Sequence, residues 1–162
     1  MLTALHFFTH IGLSWIVGAA GHRTMRDRWL IVGAGVLPDL DGIGILWGQH
    51  AYDAVHRAAG HGLLFIVLWL LLVVALADRR WTTAALAAVS FHLHLLLDVV
   101  GTGGLPIRYF WPFSDASWTY AGHWTLASWQ NAVVMGGTLL GVLWIGWRTA
   151  RLSAPAAARG DA

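Results

Sequence analysis

Histidines and aspartates lie at helical spacings beside the apolar segments of this sequence. His6 with His10, and His94 with Asp98, are each four residues apart, so the members of a pair share one face of a helix. An imidazole and a carboxylate on one face can bind the same metal ion. The chain has no cysteine, which leaves nitrogen and oxygen ligands, and these suit Zn²⁺, Mn²⁺ or Fe²⁺.

Other polar residues extend this pattern. Asp39 and Asp41 interrupt one apolar segment, and His56 and His61 precede another. An ionisable group in a membrane-embedded segment is costly, so it is a candidate for function by default. His92 is expected to point away from His94, because residues two apart are about 200° apart around a helix. Residue types and spacings together predict a metal site built from several segments.

Composition places these segments in a membrane. The 162 residues are 57% hydrophobic and 11% charged, with a mean hydropathy of +0.61, which is too apolar for a soluble domain of this size. All basic residues are arginines that flank apolar segments, as membrane topology signals do. We therefore expect contact with the lipid bilayer and none with nucleic acid. Residues 1–150 are predicted to form one helical membrane domain, followed by a short flexible cytoplasmic tail, residues 151–162.

Apolar runs of membrane-spanning length predict an all-α polytopic helical bundle. A helix needs roughly 20 apolar residues to cross a hydrocarbon core. Four full transmembrane helices are predicted, over residues 2–20, 62–77, 81–100 and 126–147. A further segment, residues 29–47, contains Pro38 and two aspartates, so it is predicted to be a broken or re-entrant helix. Gly137-x₃-Gly141 in the last span indicates close helix packing.

Arginine positions predict the orientation of the bundle. With five crossings, all the arginines except Arg57 and Arg108 fall on one side. The positive-inside rule then puts the N-terminus outside and the C-terminus in the cytoplasm. Every histidine except His22 falls on the outer side, together with most of the aspartates. The predicted metal site therefore faces the extracytoplasmic side.

Some of the polar residues have a simpler interpretation. Isolated histidines in a tryptophan-rich membrane protein can act as amphipathic anchors at the interface. This alternative stays open for four histidines, namely His6, His50, His92 and His123. Asp53 and Asp115 are expected to be solvated loop residues.

A series of short motifs runs from residue 9 to about residue 115. They are Thr9-His10, Leu37-Pro38-Asp39-Leu40-Asp41, His56-Arg57-x₃-His61, His94-x₃-Asp98, Gly104-Leu105-Pro106 and Phe110-Trp111-Pro112-Phe113. The series resembles the bacterial membrane-bound metal-dependent hydrolases, and it is more loosely similar to zinc-dependent phospholipase C. One stretch departs from the family, which usually has His-Arg-Gly-x-Thr-His-Ser. Ala58, Gly60 and Gly62 stand here in place of the Gly, Thr and Ser.

The resemblance implies a bacterial cytoplasmic-membrane protein with a two-metal site, zinc being the first expectation. The implied metal ligands are His10, Asp39, His56, His61, His94 and Asp98, with Asp41 as a ligand or a general base. Two such ions would activate a water that cleaves a phosphoester or ester of a lipid-like, amphipathic substrate. Arg57 would bind a phosphate or steady transition-state charge, or it would only anchor the chain at lipid headgroups. If Arg57 has the first role, Arg57→Ala is expected to impair turnover more than metal content.

Two other classes of function stay open on the sequence. Histidines and aspartates in membrane helices also mark the pathways of metal-ion or proton transporters. The predicted cytoplasmic halves of three spans, residues 11–20, 66–77 and 83–91, contain no ionisable residue, and the first and third offer only Ser and Thr hydroxyls. This favours a one-sided pocket. A non-catalytic metal-binding protein is the other alternative. The substrate, the bond cleaved and the oligomeric state are left open.

Overall fold

A computed structural model describes residues 2–20 and 24–153, and it consists of helices joined by turns and by one long loop, residues 102–128. In chain order the helices are α1 (Leu2–Gly18), α2 (Met25–Val36), a 3-10 helix (Leu37–Trp47), α3 (Gln49–Val55), α4 (Leu63–Leu76), α5 (Arg80–Gly101) and α6 (Trp129–Ser153). The β structure within those residues is one antiparallel bridge, between Ile107 and Trp118. The prediction of an all-helical chain is confirmed. Arg23 and residues 154–162, which are most of the predicted tail, lie outside the described residues. The first residues of that tail, including Arg151, belong to α6 instead.

Three helical stretches of the described residues are long and apolar enough to cross a membrane. They are Met25–Trp47, Arg80–Gly101 and Trp129–Leu152. The prediction of four full crossings was wrong. Helix α4 has only 14 residues and is about 21 Å long. Helix α1 has 17 residues and is about 26 Å long. Both are shorter than the hydrocarbon core, which is roughly 30 Å thick.

The segment predicted to be broken changes its helix type instead of stopping. Helix α2 ends at Val36 and continues directly as the 3-10 helix, whose second residue is Pro38. Proline lacks an N–H and its ring clashes with the preceding turn of an α-helix, so the backbone tightens there. The two helices together form the first of the three possible spans. The interruption falls where the sequence predicted it, and it places Asp39 in the first turn of the 3-10 helix.

Helix α5 is at the centre of the bundle. Helix α2 packs against α5 and α1, α4 packs against α5, and α6 packs against α1. Their shared core is apolar and includes Ile31, Ile66, Val73, Ala87 and Phe91. Leucines on α4 and α6 point outward and are exposed, as on lipid-facing helices.

Small residues allow the closest helix contacts. A Cβ at Gly35 of α2 would clash with the hydroxyls of Ser14 and Ser90, on α1 and α5. In the predicted Gly137-x₃-Gly141 motif, Gly141 packs against Ile16 of α1, whereas Gly137 has open space around it. The packing prediction therefore holds for Gly141 only.

The end of the bundle where α2 begins is held together by Asp27. Its buried carboxylate accepts the backbone N–H groups of Asp78 at 2.8 Å and Arg79 at 3.2 Å, just before α5. Arg26 pairs with Asp78, and Arg28 donates to the carbonyl of Gly18. The arginines near this end are therefore separated from the histidines at the other end of α1 and α5. Which end faces the cytoplasm stays a prediction.

Candidate metal centre

Four elements bring imidazoles and carboxylates together at one end of the bundle. Helix α5 presents His94 and Asp98 on one face, as their spacing predicts, and the start of α1 contributes His6 and His10. The 3-10 helix supplies Asp39. His61 belongs to the turn between α3 and α4. Residues far apart in sequence therefore meet where α1 starts and α5 ends.

One set, the first ligand group, consists of Asp39, His61, His94 and Asp98. Each residue offers one ligand atom, and these atoms lie within 4.8 Å of one another. His61 Nε2 lies 3.1 Å from His94 Nε2 and 3.2 Å from Asp98 Oδ2. Asp39 Oδ1 lies 3.7 Å from His94 Nε2 and 4.0 Å from His61 Nε2. Two nitrogens and two carboxylates thus converge as the ligands of one divalent cation would.

A second ligand group consists of His6, His10 and Asp98. The Nε2 atoms of both histidines lie 3.4 Å from Asp98 Oδ1. Asp98 Oδ2 faces the first ligand group. The two oxygens of one buried carboxylate are therefore directed at two sets of imidazoles.

Several buried nitrogens of the second group have no hydrogen-bond partner among the described residues. They are His10 Nδ1 and the Nε2 atoms of His6 and His10, whose 3.4 Å approach to Asp98 Oδ1 lacks hydrogen-bond geometry. Buried polar atoms are nearly always satisfied, so unsatisfied ones call for an explanation such as a bound ion. A nitrogen and oxygen donor set of this kind fits a divalent metal.

Hydrogen bonds orient the two imidazoles of the first ligand group. His61 Nδ1 lies 2.9 Å from Asp41 Oδ2, and His94 Nδ1 donates to the carbonyl of Gly35 at 3.0 Å. In both rings Nε2 is left to face the group. Metal-ligating histidines usually have such a partner on the other nitrogen.

Asp41 also positions the turn that carries His61. Its second oxygen, Oδ1, lies 2.9 Å from His56 Nδ1, and its Oδ2 accepts the backbone N–H of Gly60 at 3.2 Å. The ring of His56 is stacked on Tyr52. His56 thus pairs with Asp41 and lies edge-on to the ring of His61, with the centroids 5.9 Å apart, without joining either ligand group.

The charge around His61 favours its protonated form. Burial alone would lower the pKa of His61, but the hydrogen bonds with Asp41 and Asp98 outweigh it and raise the pKa to about 9. In the metal-free protein a proton on His61 would therefore compete with a metal ion for the ring.

Arg57 is buried beside the centre. Its guanidinium donates to Thr102 Oγ1 at 2.7 Å and to the carbonyl of Leu105 at 3.1 Å, and it lies 3.5 Å from Asp98 Oδ2. Its backbone is left-handed, with a φ of 59°, a conformation that costs a non-glycine residue energy and is often found at functional sites. With 7% of its surface exposed, Arg57 does not fit the headgroup-anchor alternative.

Comparison with known proteins supports membrane location. A family model described as YdjM inner membrane protein matches residues 5–158. The chain belongs to the YdjM inner membrane protein family. An Escherichia coli (strain K12) protein named inner membrane protein YbcI is 34% identical over 170 aligned residues, which cover 86% of this chain and 96% of that protein. No solved structure matches.

In this YdjM family member, most of the predicted site residues meet. The residues that join a ligand group are His10, Asp39, His61, His94 and Asp98. Asp41, His56 and Arg57 lie next to them without joining either group. Which of these residues bind metal stays a prediction.

His6 is the site residue that the sequence left open. It completes the second ligand group, and its four-residue spacing from His10 was the available signal. His92 points away from the centre as predicted and contacts Tyr109 and the carbonyl of Ala88. Neither His50 nor His123 belongs to a ligand group of this YdjM family member.

Of the two aspartates that were predicted to be solvated loop residues, only one lies in a loop. Asp115 is exposed in a loop, as predicted, whereas Asp53 lies in α3. The side chain of Asp53 is outside the described part of the chain.

The departure at Gly60 has a structural reason in this chain. A Cβ there would lie 2.8 Å from Pro38 Cα, and still closer to the Pro38 carbonyl oxygen. The turn before α4 therefore packs directly on the backbone that carries Asp39. Glycine allows this close approach.

Proposed function

We propose that this chain is a membrane-embedded metal-dependent hydrolase that cleaves a phosphoester or ester of a lipid-like substrate. The observation that carries the proposal is the position of Asp98, whose two oxygens face two different groups of imidazoles. A carboxylate in this position is suited to bridge two ions. Zn²⁺ is the first candidate, with Mn²⁺ and Fe²⁺ as alternatives.

Each ligand group would hold one ion. Asp39, His61 and His94 would bind the first, His6 and His10 the second, and Asp98 both. Two such ions, when bound, supply Lewis acidity and lower the pKa of a water molecule. The protein contributes a buried pocket and rings with fixed orientation, because a preorganised site does not have to rearrange during the reaction.

The residues beside the ligand groups have supporting roles. Asp41 holds the His61 ring with Nδ1 toward itself and Nε2 toward the first ligand group, and we assign His56 to the support of Asp41 rather than to a metal. The Arg57 guanidinium holds Asp98 and the loop that contains Leu105. Arg57 Nε is buried and has no partner among the described residues, so it is available to an anionic group of the substrate.

Metal content tests the shared ligand. The full-length protein is purified in detergent, and bound metals are measured by elemental mass spectrometry. We expect about two ions per chain, about one in His61→Ala and almost none in Asp98→Ala. Asp115→Asn, an exposed loop change, is the matched control and should keep its metal. Full metal content in Asp98→Ala would overturn the bridging role.

Product release tests the reaction. The protein is incubated with vesicles of phosphatidylethanolamine and phosphatidylglycerol, and released headgroups and fatty acids are identified by mass spectrometry. Chelation should stop release, and added Zn²⁺ or Mn²⁺ should restore it. Tight metal binding without hydrolysis of these lipids or of bis(p-nitrophenyl) phosphate would reject the hydrolase and favour a metal-binding protein without catalysis.

One observation favours transport as a second candidate. The hydroxyls of Ser90 and Thr83 are buried and have no hydrogen-bond partner among the described residues. They lie at helical spacing from His94 along α5, toward its other end. Proteoliposomes loaded with a zinc-sensitive or pH-sensitive dye separate the two functions. Flux that is lost in Ser90→Ala would support transport, whereas a hydrolase should show none.

A further inference from the structure

A cavity lies between α1 and the start of α6. Its volume is about 150 Å³. Two of its lining residues belong to α1, and the others to the start of α6 and the loop before it. The lining residues include His6 and Thr9 of α1, and Ala127 and Ala132 near the start of α6.

The cavity reaches the candidate metal centre through His6. The ring of His6 lines the cavity, and its Nε2 lies 3.4 Å from Asp98 Oδ1 but makes no hydrogen bond with any residue that the structure describes. Nine-tenths of this side chain is buried. A molecule in the cavity would therefore touch a residue of the second ligand group.

The other side of the cavity is at the outer surface of the bundle. Helix α6 is long and apolar enough to span a membrane, and only 6% of its span is buried in protein. Ala127 and Ala132, both lining residues, are exposed. In a bilayer this surface is surrounded by acyl chains.

Size and chemistry favour one acyl chain as the occupant. The lining is largely apolar and contains neither arginine nor aspartate. A cavity of similar volume in another protein binds benzene, so this one has room for about six carbon atoms. A charged headgroup would lose its hydration there. A helix of a second copy, which is about 10 Å across, is too wide to enter.

We propose that this cavity binds the first carbons of an acyl chain, so that the polar linkage of a membrane lipid lies against His6. The proposal rests on the proposed function, since it names the substrate class of the same site. It makes the substrate a lipid that enters sideways from the bilayer between α1 and α6. A second apolar cavity, of about 260 Å³, lies beside Val99 and Trp118, but its histidine is His92, which belongs to neither ligand group.

Photo-crosslinking tests the occupant. The full-length protein is reconstituted in vesicles of phosphatidylethanolamine and phosphatidylglycerol that contain a phospholipid with a diazirine near its acyl carbonyl. Crosslinked residues are mapped by mass spectrometry. Thr9 is the diagnostic position, because it lines the cavity and only 5% of its surface is exposed. We expect a lipid crosslink at Thr9 in the natural sequence.

Two tryptophan variants on α6 form a matched pair. Ala132→Trp fills the cavity, so the crosslink at Thr9 should be lost. Val133→Trp adds the same side chain at an exposed neighbouring position outside the cavity and should keep it. Circular dichroism and gel filtration check that both variants fold. Equal crosslinking in both, lipid crosslinks confined to outward residues such as Leu140, or a crosslink from Thr9 to a second copy would overturn the proposal.

Failure of this proposal differs from failure of the proposed function. The crosslinking is done on chelator-treated protein, so it does not depend on metal or catalysis. If the chain binds no metal, the Thr9 crosslink can still form. If the crosslink is absent while two metals and lipid hydrolysis are present, the chain is a hydrolase whose substrate binds elsewhere.

Discussion

The carboxylate of Asp41 lies 2.9 Å from Nδ1 of His61, on the side of the imidazole that faces away from His94. This contact fixes which nitrogen of His61 faces the first ligand group. Since such outer partners affect metal affinity by 10-fold to 100-fold, we expect Asp41→Asn to weaken binding by about that much. Competitive chelator titration measures the change, with Asp115→Asn as the control. An unchanged affinity in Asp41→Asn would contradict the orienting role.

Metal affinity is expected to rise with pH because of His61. Its pKa in the metal-free protein is raised from 6.5 to about 9, and a metal requires the neutral ring. Each pH unit between those values should therefore strengthen binding by about tenfold, with a plateau above pH 9. His61→Ala should lose this pH dependence. A flat titration in the natural sequence would exclude His61 as a ligand.

The same shift predicts how the stability of metal-free protein changes with pH. The proton binds more tightly in the folded state, so its stabilising effect is fully present below pH 6.5 and is lost as pH rises through about 9. Thermal unfolding of chelator-treated protein should occur at lower temperature near pH 9 than near pH 6.5. His61→Ala should reduce that difference.

Gly60→Ala should disturb the centre although residue 60 binds no metal. Its new methyl group would be forced against the Pro38 backbone and would move Asp39 relative to His61. We expect metal affinity to fall by about tenfold, as for other changes just outside a metal site. Gly136→Ala is the matched control, because a Cβ there meets no described residue within 4 Å. Equal affinities in the two variants would show that the turn adapts.

Arg57→Ala should impair turnover more than metal content. The guanidinium adds positive charge near Asp98, and one of its donors, Nε, has no partner in the described part of the chain. Loss of such a charge-stabilising donor costs about a hundredfold in rate. Bis(p-nitrophenyl) phosphate hydrolysis and elemental analysis measure the two effects. Arg57→Lys should recover only part of the rate. Lysine keeps the positive charge but lacks the planar guanidinium that can bind an anion through two N–H groups. If Arg57→Ala loses metal content and rate equally, Arg57 acts only by positioning Asp98.

Asp27→Ala separates a buried structural aspartate from those of the centre. It would leave the backbone N–H groups of Asp78 and Arg79 without their acceptor. We expect the free energy of unfolding to fall by about 1–3 kcal/mol. Metal content per folded chain should stay the same, since Asp27 lies at the other end of the bundle. Loss of metal in the folded variant would show that the two ends are coupled.

Local regularities allowed the sequence to determine part of this protein. Apolar composition identified a membrane protein, because burial in lipid requires it whatever the packing. Helical periodicity placed His94 and Asp98 on one face and His92 on another, and the structure agrees. Pro38 marked the change of helix type, because its chemistry acts on its own turn.

Only the tertiary structure decided which residues meet. In a 3-10 helix two residues are about 240° apart, so Asp39 faces the first ligand group while Asp41 contacts His56 and His61. His6 joins the centre because α1 lies beside the end of α5. Similarly, Arg57 is buried because the loop after α5 folds over it. These contacts join distant segments, and periodicity within one segment carries no information about how segments pack.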